Sequence, residues 1–311
     1  MTTQTIKAIQ VHNYGDVDQL KLEQIPQPEP QKGEVLVRVH SAGVNPMDWK
    51  IRAGYLKDYM PTTFPYVPGA DLAGVVEKVG PGVTTFQPSQ EVFGRGSQGT
   101  YTEYAIAPAN MLALKPKTIS FDQAATIPVG ATTAWQGFFD HGNLQAGQRV
   151  LILGGAGGVG LYAVQFAHWK GAHVIATTST SNLDFVRSLG AEAAIDYTKA
   201  RVEDEVHNVD LVLDTVGGTA LASALPTLKR GGTLVTIAGQ PDEVKARELG
   251  VRTKRFSAQI NSELLSTFAK LINEGQIKTV VGETYSLSEA GKTHEISQSG
   301  HGRGRIILRV A

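Results

Sequence analysis

A glycine-rich hexapeptide restricts the fold of this chain more than any other feature of the sequence: Gly155-Ala156-Gly157-Gly158-Val159-Gly160. It fits the pattern G-x-G-x-x-G, follows the apolar run Arg149–Leu153 and precedes the helical stretch Leu161–Lys170, after which His173–Thr177 is strand-like. A strand, a glycine turn and a helix in this order let the backbone approach a pyrophosphate at the positive end of the helix. The motif therefore predicts a βαβ unit that binds a dinucleotide; the alternative is a glycine turn with a purely structural role.

The sequence around this motif predicts a parallel sheet over residues 126–255. Apolar strands alternate there with helical segments, which is typical of a doubly wound Rossmann domain. The further members of the series are the strands Val209–Leu213 and Thr233–Ile237 and the helices Leu183–Leu189 and Ala220–Leu228.

The remaining residues predict a second, antiparallel β domain, which makes the fold class α/β with two domains. Residues 1–125 contain short β-type runs separated by Gly and Pro. Residues 256–311 contain a helical pattern at 264–272 and a final strand, Arg305–Val310, which has no place in the parallel series and is expected to rejoin the first domain. The runs in the first part are Lys7–Val11, Leu20–Ile25, Glu34–Val39, Asp71–Val79 and Tyr101–Ile106.

Composition excludes several classes of function. The 311 residues contain no Cys, so disulfides, thiolate zinc sites, Fe–S clusters and a cysteine nucleophile are excluded. Lys and Arg together number 29, as do Asp and Glu, so no net positive charge attracts nucleic acid or an anionic membrane. No segment has the pattern of a targeting peptide or a membrane span, and a cytoplasmic protein is expected.

The end of the second strand of the βαβ unit bears on which dinucleotide binds. An NAD site usually has an acidic residue about 20 residues after the glycine motif, bonded to the ribose hydroxyls. Here the strand is followed by the uncharged segment 177–182, the first acidic residue is Asp184, and Arg187 is expected to point elsewhere. This segment favours NADP, which carries a 2′-phosphate; the alternative, compatible with it, is that Ser and Thr cap the next helix from Ser181 and Asn182.

Four motifs together resemble a known family. They are similar to segments of the medium-chain dehydrogenase/reductase superfamily, and the motifs are Ser41–Asp48, Gly155–Gly160, Ala191–Tyr197 and Val209–Gly218. Within the superfamily they most resemble the zinc-free NADPH:quinone oxidoreductase branch, which includes zeta-crystallin-like enzymes and enone reductases. The resemblance implies a GroES-like β domain, a Rossmann domain that binds NADPH, and a homodimer formed by edge-to-edge pairing of Rossmann sheets, for which Thr233–Ile237 is a candidate strand.

The resemblance also implies a reduction without zinc. Where zinc-dependent members of the superfamily carry metal ligands, this chain has Asn45 and the segment Gly69-Ala70-Asp71. Without a Lewis acid, alcohol oxidation is disfavoured, whereas a quinone or an α,β-unsaturated carbonyl spreads the incoming charge over its own oxygen. A non-catalytic NADPH-binding sensor or crystallin-like protein is the alternative, and a module of a larger synthase is a third reading.

Three residues are candidates for supporting the acceptor oxygen. The amide of Asn45 can donate to a developing oxyanion. Lys50 stands where many zeta-crystallin-like relatives carry Tyr. It is expected to stabilise the enolate electrostatically or to orient the cofactor; the alternative is a solvated lysine on a loop. Tyr55 is the third candidate, although it, Tyr59 and Tyr66 are better suited to lining an aromatic pocket.

The resemblance adds cofactor-binding positions to the glycine motif. Ser179, Asn182 and Tyr197 correspond to the 2′-phosphate pocket, although relatives often carry Lys in place of Asn182. Tyr197 is alternatively a packing residue, and Arg303 either reaches the cofactor or is a solvated turn residue. The full set of predicted cofactor contacts is Thr133, Gly155, Gly157, Gly158, Val159, Gly160, Ser179, Asn182, Tyr197, Val216, Gly217, Ala238, Gly239 and Arg303.

Overall fold

Residues 4–310 are described by a computed structural model. The chain divides into two units, one formed by the residues up to Val129 together with those from Ile260 onward, the other by Gly130–Gln259. The predicted boundaries, after 125 and after 255, lie close to these divisions. The strands are β1 (Thr5–Val11), β2 (Leu20–Pro26), β3 (Glu34–Gly43), β4 (Asp71–Val79), β5 (Glu91–Arg95), β6 (Tyr104–Pro108), β7 (Leu112–Leu114), β8 (Arg149–Leu153), β9 (His173–Thr178), β10 (Ala193–Asp196), β11 (Val209–Asp214), β12 (Leu228–Thr236), β13 (Arg252–Arg255), β14 (Val281–Ser286) and β15 (Arg305–Arg309).

The helices alternate with these strands most regularly in the second unit. A π-helical segment, Gln136–His141, follows the third helix directly. None of the described helices is both long and apolar enough to cross a membrane. The helices are α1 (Pro46–Arg52), α2 (Phe121–Ala124), α3 (Pro128–Trp135), α4 (Gly160–Trp169), α5 (Leu183–Ser188), α6 (Val202–Glu205), α7 (Gly218–Ala224), α8 (Glu243–Leu249), α9 (Ser262–Asn273) and α10 (Ala290–Ser299).

The first unit is built around a sheet in which β3 is the longest strand. Over the described residues the strand order is β14-β15-β3-β4-β5-β7, β6 also pairs with β3, and β1 and β2 form a separate antiparallel hairpin. Valines that alternate along β3 (Val35, Val37 and Val39) are fully buried in the core of this unit. The final strand β15 pairs antiparallel with β3, so the prediction that it rejoins the first domain is confirmed.

The second unit contains a parallel sheet with the order β10-β9-β8-β11-β12-β13 over the described residues. Every neighbouring pair is parallel. After the exposed Arg149, the central strand β8 is apolar and buried to its end, as expected for a strand covered on both faces. In chain order this arrangement is 3-2-1-4-5-6, the order of a doubly wound dinucleotide-binding sheet. The predicted α/β fold class is therefore confirmed.

Two predictions in the second unit are corrected. The strand Thr233–Ile237, a candidate for edge-to-edge pairing, coincides with the end of β12 up to Thr236, and it pairs there with β11 and β13 on its two sides, so it has no free edge. The helix expected over Ala220–Leu228 ends at Ala224, and a 3-10 turn containing Pro226 leads into β12, which begins at Leu228. Proline lacks the N–H that would continue the helix.

Candidate functional site

The glycine turn joins the carboxyl end of β8 to the amino end of α4. Gly154 donates its N–H to Oγ1 of Thr177 at 3.1 Å, and Gly155 donates its N–H to the Thr177 carbonyl at 2.8 Å. A Cβ atom on Gly160 would lie 2.0 Å from the Gly154 carbonyl oxygen, and one on Gly155 would lie 2.8 Å from the Cβ of Ala176. These two glycines are therefore required by the close approach of the turn, the helix and the neighbouring strand.

The turn leaves hydrogen-bond donors available at the positive end of α4. The N–H groups of Gly158 and Val159 have no acceptor within residues 4–310. A Cβ on Gly157 would meet only the Gly154 carbonyl oxygen, at 3.4 Å, so little covers the backbone there. Free N–H groups at the start of a ten-residue helix, beside an uncovered glycine, fit a bound pyrophosphate.

The predicted 2′-phosphate residues come together where β9 and β10 end. Nδ2 of Asn182 donates to Oγ of Ser179 at 3.1 Å, and the backbone N–H of Tyr197 donates to the Thr178 carbonyl at 3.2 Å. The Tyr197 side chain is half exposed, which differs from the alternative of a packed tyrosine. Asn182 makes no side-chain capping hydrogen bond to α5, so it does not serve the capping role considered above.

A buried aspartate organises the loops that follow β11 and β12. Oδ1 of Asp214 accepts the N–H groups of Val216 and Gly217 at 3.0 and 2.9 Å. Its Oδ2 accepts the Thr236 hydroxyl at 2.6 Å, and that hydroxyl oxygen accepts the Ala238 N–H at 3.1 Å. These bonds hold together four of the predicted cofactor contacts, Val216, Gly217, Ala238 and Gly239. The four residues lie at the carboxyl ends of parallel strands, where ligands bind such sheets.

The other two predicted cofactor residues lie elsewhere. Thr133 is buried within α3. Arg303 is exposed in the first unit, in the segment between α10 and β15. For both residues, contact with a cofactor stays a prediction.

Asn45 is buried in an ionic network of the first unit. Its Oδ1 accepts from Nη2 of Arg305 at 2.6 Å, and its Nδ2 donates to Oδ2 of Asp71 at 3.2 Å and to the Gly43 carbonyl at 3.4 Å. The same Arg305 nitrogen lies 2.5 Å from Oδ2 of Asp71, and Oδ1 of Asp71 accepts the Val129 N–H at 3.1 Å. Burial raises the pKa of Asp71, while the Arg305 guanidinium lowers it.

A second buried carboxyl group, that of Asp48, lies in the first turn of α1, the helix that also carries Lys50. Its Oδ2 accepts the Asn45 N–H at 2.8 Å and the Tyr101 hydroxyl at 2.9 Å. Burial raises the pKa of Asp48 from 3.8 to about 7, although both hydrogen bonds favour the charged form. At neutral pH this carboxyl group therefore has its proton bound in a substantial fraction of molecules.

Lys50 and Tyr55 meet around one tryptophan. Nζ of the half-buried Lys50 lies 5.5 Å from the centre of the Trp49 ring, and the Tyr55 ring meets Trp49 edge-on at 5.8 Å between ring centres. Tyr55 is 68% exposed, and the structure gives Lys50 no hydrogen bond or ion pair with any residue from 4 to 310. The Tyr66 hydroxyl is buried without a partner within the same range, and burial raises its pKa.

Sequence reasoning did not single out several residues that hold these groups in place. Thr177, Asp214 and Thr236 follow the pattern of polar residues at the ends of buried strands, which was a usable signal. Tyr101 and Arg305 gave no local signal, because their partners are distant in sequence.

Two known protein families match parts of the chain. Residues 31–117 match the alcohol dehydrogenase GroES-like domain, and residues 189–308 match the zinc-binding dehydrogenase family. The GroES-like character expected of the first domain is confirmed by the first match.

Three known proteins illustrate the similarity over nearly the whole chain. The chain is 36% identical to the NADPH-dependent alkenal/one oxidoreductase of Arabidopsis thaliana, over 97% of this chain and 79% of that protein. The quinone oxidoreductase of Coxiella burnetii superposes with a TM-score of 0.91 at 33% identity, covering 99% of this chain and all of that one. A mycobacterial protein solved in complex with NADPH superposes with a TM-score of 0.89 at 29% identity, covering 98% and 100%.

The zinc implied by the second family name does not fit the residues present. Asn45 and Asp71 are both bonded to the guanidinium of Arg305, so a cation already occupies their oxygen atoms. Within residues 4–310 no group of three or more His, Cys, Asp or Glu side chains is placed to hold a metal ion. An amide, a carboxylate and a guanidinium in mutual contact are not a zinc ligand set.

Proposed function

Because the chain belongs to the medium-chain dehydrogenase/reductase superfamily and is similar throughout to quinone and enone oxidoreductases, we propose that it is an NADPH-dependent reductase acting on quinones or α,β-unsaturated carbonyl compounds. The observation that carries this proposal is the pair of free N–H groups, from Gly158 and Val159, in the glycine turn after the first strand of a 3-2-1-4-5-6 sheet. When bound, the nicotinamide supplies a hydride.

The second unit provides the residues that would hold the cofactor. The Gly158 and Val159 N–H groups are suited to the pyrophosphate, and the Ser179, Asn182 and Tyr197 side chains to the 2′-phosphate. The loops after β11 and β12, fixed by Asp214, are suited to the nicotinamide half, since they lie at the carboxyl ends of neighbouring strands.

The first unit provides the group that would stabilise the acceptor. Reduction of a quinone or an enone places negative charge on its carbonyl oxygen, and a fixed positive charge nearby lowers the barrier. Lys50 carries that charge on a short helix whose first turn is held by Asp48. The aromatic rings of Trp49 and Tyr55 beside it suit a flat conjugated acceptor.

The test is NADPH consumption with a small quinone and with an alkenal. We expect turnover with at least one of them. We also expect Lys50→Met to lower kcat/KM at least tenfold, about 1.4 kcal/mol in transition-state stabilisation, and Lys50→Arg to retain much of the activity. Lys57→Met, which removes an exposed charge from the following loop, is the matched control and is expected to have no effect.

A negative result has a defined meaning. If folded protein is thermally stabilised by NADPH but reduces neither acceptor, the reductase proposal fails and the alternative of a non-catalytic NADPH-binding protein is favoured. If Lys50→Met and Lys57→Met behave alike, the reductase stands and the role of Lys50 does not.

We also propose a homodimer formed through β13, the strand at one edge of the parallel sheet. Unpaired strand edges favour pairing with a second chain. Three of the four residues of β13 are cations, Arg252, Lys254 and Arg255, and pairing two copies of this strand about a two-fold axis would bring these cations close to those of the second chain. Association through this edge is therefore expected to be opposed by like charges.

The cytoplasmic location also stays a prediction, which cell fractionation tests.

A further inference from the structure

The ends of β9 and β10 bring together a group of hydrogen-bonded polar side chains, which we call the hydroxyl pocket. It consists of Ser179, Thr180, Asn182 and the segment Asp196–Lys199. Thr180 and Asp196 are joined by a short hydrogen bond from the threonine hydroxyl to Oδ2 of the carboxylate. The two strand ends are thereby connected, and the residues assigned above to the 2′-phosphate lie in the same pocket as a carboxylate.

This carboxylate poses a problem for NADPH, because an unscreened negative charge would repel the 2′-phosphate. In the hydroxyl pocket, hydrogen-bond donors surround the carboxylate of Asp196 and screen its charge. Oδ1 accepts both the N–H of Thr198 at 3.0 Å and its hydroxyl at 2.6 Å, and Oδ2 accepts the Thr180 hydroxyl. These hydrogen bonds hold the pKa of Asp196 down at about 2, so the carboxylate stays charged and also stays fully bonded.

A phosphate in this pocket needs a cation, and the sequence offers few. Asn182 is neutral, and residues 177–199 contain two cations, Arg187 and Lys199. Arg187 is bonded to Asp184 on the exposed side of α5, at 3.0 Å. Beyond the pocket, Arg201 is bonded to Glu203.

Lys199 remains, and its position suits the role. Its Nζ lies 3.6 Å from Oδ2 of Asp196, the oxygen that also accepts from Thr180, and its side chain is 67% exposed. An exposed pair at this distance is weak, so the ammonium group can turn toward an arriving phosphate at little cost. The neighbouring hydroxyl groups and the Asn182 amide then supply further donors.

We propose that Lys199 is the cation that receives the 2′-phosphate of NADPH, and that Asp196 holds it at the pocket. The inference rests on the proposed use of NADPH. It assigns the preference for NADPH over NADH to Lys199, which lies on the loop after β10. Lys199 would then replace the lysine that relatives often carry at the position of Asn182.

The test compares two fragments of the cofactor that differ by the 2′-phosphate. Adenosine 2′,5′-bisphosphate carries this phosphate and 5′-AMP lacks it, and binding of each is measured by titration calorimetry on the full-length protein. We expect Lys199→Ala to weaken binding of the bisphosphate about tenfold and to leave 5′-AMP unchanged, because a charge-assisted hydrogen bond is lost from one ligand alone. Lys199→Arg should retain most of the affinity, and the effect of Lys199→Ala should shrink at high salt.

A matched control removes an equivalent charge elsewhere in the same unit. Lys229 pairs with Asp210 near the amino ends of β12 and β11, at the opposite end of the strands from the hydroxyl pocket. Lys229→Ala should leave the binding of both nucleotides unchanged. In the active enzyme, Lys199→Ala should raise KM for NADPH, not for NADH, with kcat preserved at saturating cofactor.

The outcomes separate this inference from the function on which it rests. If the unaltered protein binds neither nucleotide, the cofactor assignment itself fails. If it binds the bisphosphate more tightly than 5′-AMP and Lys199→Ala keeps that difference, the assignment of Lys199 is overturned while the use of NADPH stands.

Discussion

The buried carboxyl group of Asp48 makes the stability of the first unit depend on pH in a direction that can be worked out. Its pKa is about 7 in the folded protein, against an ordinary value of 3.8. A difference of one in pKa corresponds to about 1.4 kcal/mol, so Asp48 accounts for about 4 kcal/mol between its two protonation states. Because the folded state binds this proton more tightly than the unfolded chain does, the stabilising contribution is fully present below pH 4. It is lost as the pH rises through about 7.

Asp48→Asn removes this titration while keeping an oxygen that can accept from the Asn45 N–H and the Tyr101 hydroxyl. We expect the free energy of unfolding of the variant, relative to the unaltered protein, to rise by up to about 4 kcal/mol between pH 4 and pH 8. Urea unfolding at several pH values measures it. Trp49 reports on the first unit specifically once Trp135 and Trp169, both in the second unit, are replaced by Phe.

Asp184→Asn is the control, because the side chain of Asp184 is 99% exposed. Its effect on stability should vary little with pH. If the difference in the free energy of unfolding between Asp48→Asn and the unaltered protein is also independent of pH between pH 4 and pH 8, the buried carboxyl group does not hold its proton as argued. The account of the network around Asn45 then fails as well.

Three further changes test other parts of the structure. Arg305→Met leaves the buried carboxyl group of Asp71 without its cation, which should cost about 3–5 kcal/mol in urea unfolding; replacing both with apolar residues should recover most of it, and a loss that persists would contradict the pairing. Gly160→Ala places a Cβ 2.0 Å from the Gly154 carbonyl oxygen and should weaken NADPH binding at least tenfold by calorimetry, whereas Gly291→Ala, with 3.8 Å to its nearest neighbour, should not. Equal affinities would refute the assigned turn. Self-association through β13, measured by analytical ultracentrifugation, should strengthen as salt screens Arg252, Lys254 and Arg255, and a salt-independent dimer would place the interface elsewhere.

The second unit could be predicted from sequence because its signals are local. The apolar run of β8, the glycine turn and the start of α4 lie within about 20 consecutive residues, and each element restricts the next. The final strand β15 was also predictable, since it had no place in the parallel series. The edge strands β10 and β13 were missed. β13 is largely polar, β10 has only four residues, and each of these strands pairs with one neighbour, so the side chains carry little pattern.

The ionic network of the first unit could not be predicted, because its contacts join distant parts of the chain. Arg305 bonds to Asn45 across 260 positions and to Asp71 across 234. The raised pKa of Asp48 likewise depends on burial that only the folded unit creates, including the contact with Tyr101. Single-sequence patterns do not specify which charged residues become neighbours across a sheet.

This network bears on two of the three residues that the sequence presented as candidates for supporting the acceptor oxygen, Asn45 and Lys50. For Asn45 to donate there, it must give up its hydrogen bond to the buried carboxylate of Asp71, and a hydrogen bond to a charged group contributes about 1.5–3 kcal/mol. For Lys50 to donate, it gives up a cation–π contact with Trp49, which is worth about 0.5–1 kcal/mol at such a site. The lower cost favours Lys50 as the group that meets the developing charge. Asn45 then acts as a positioning residue, since its backbone N–H fixes Asp48 at the start of the helix that carries Lys50.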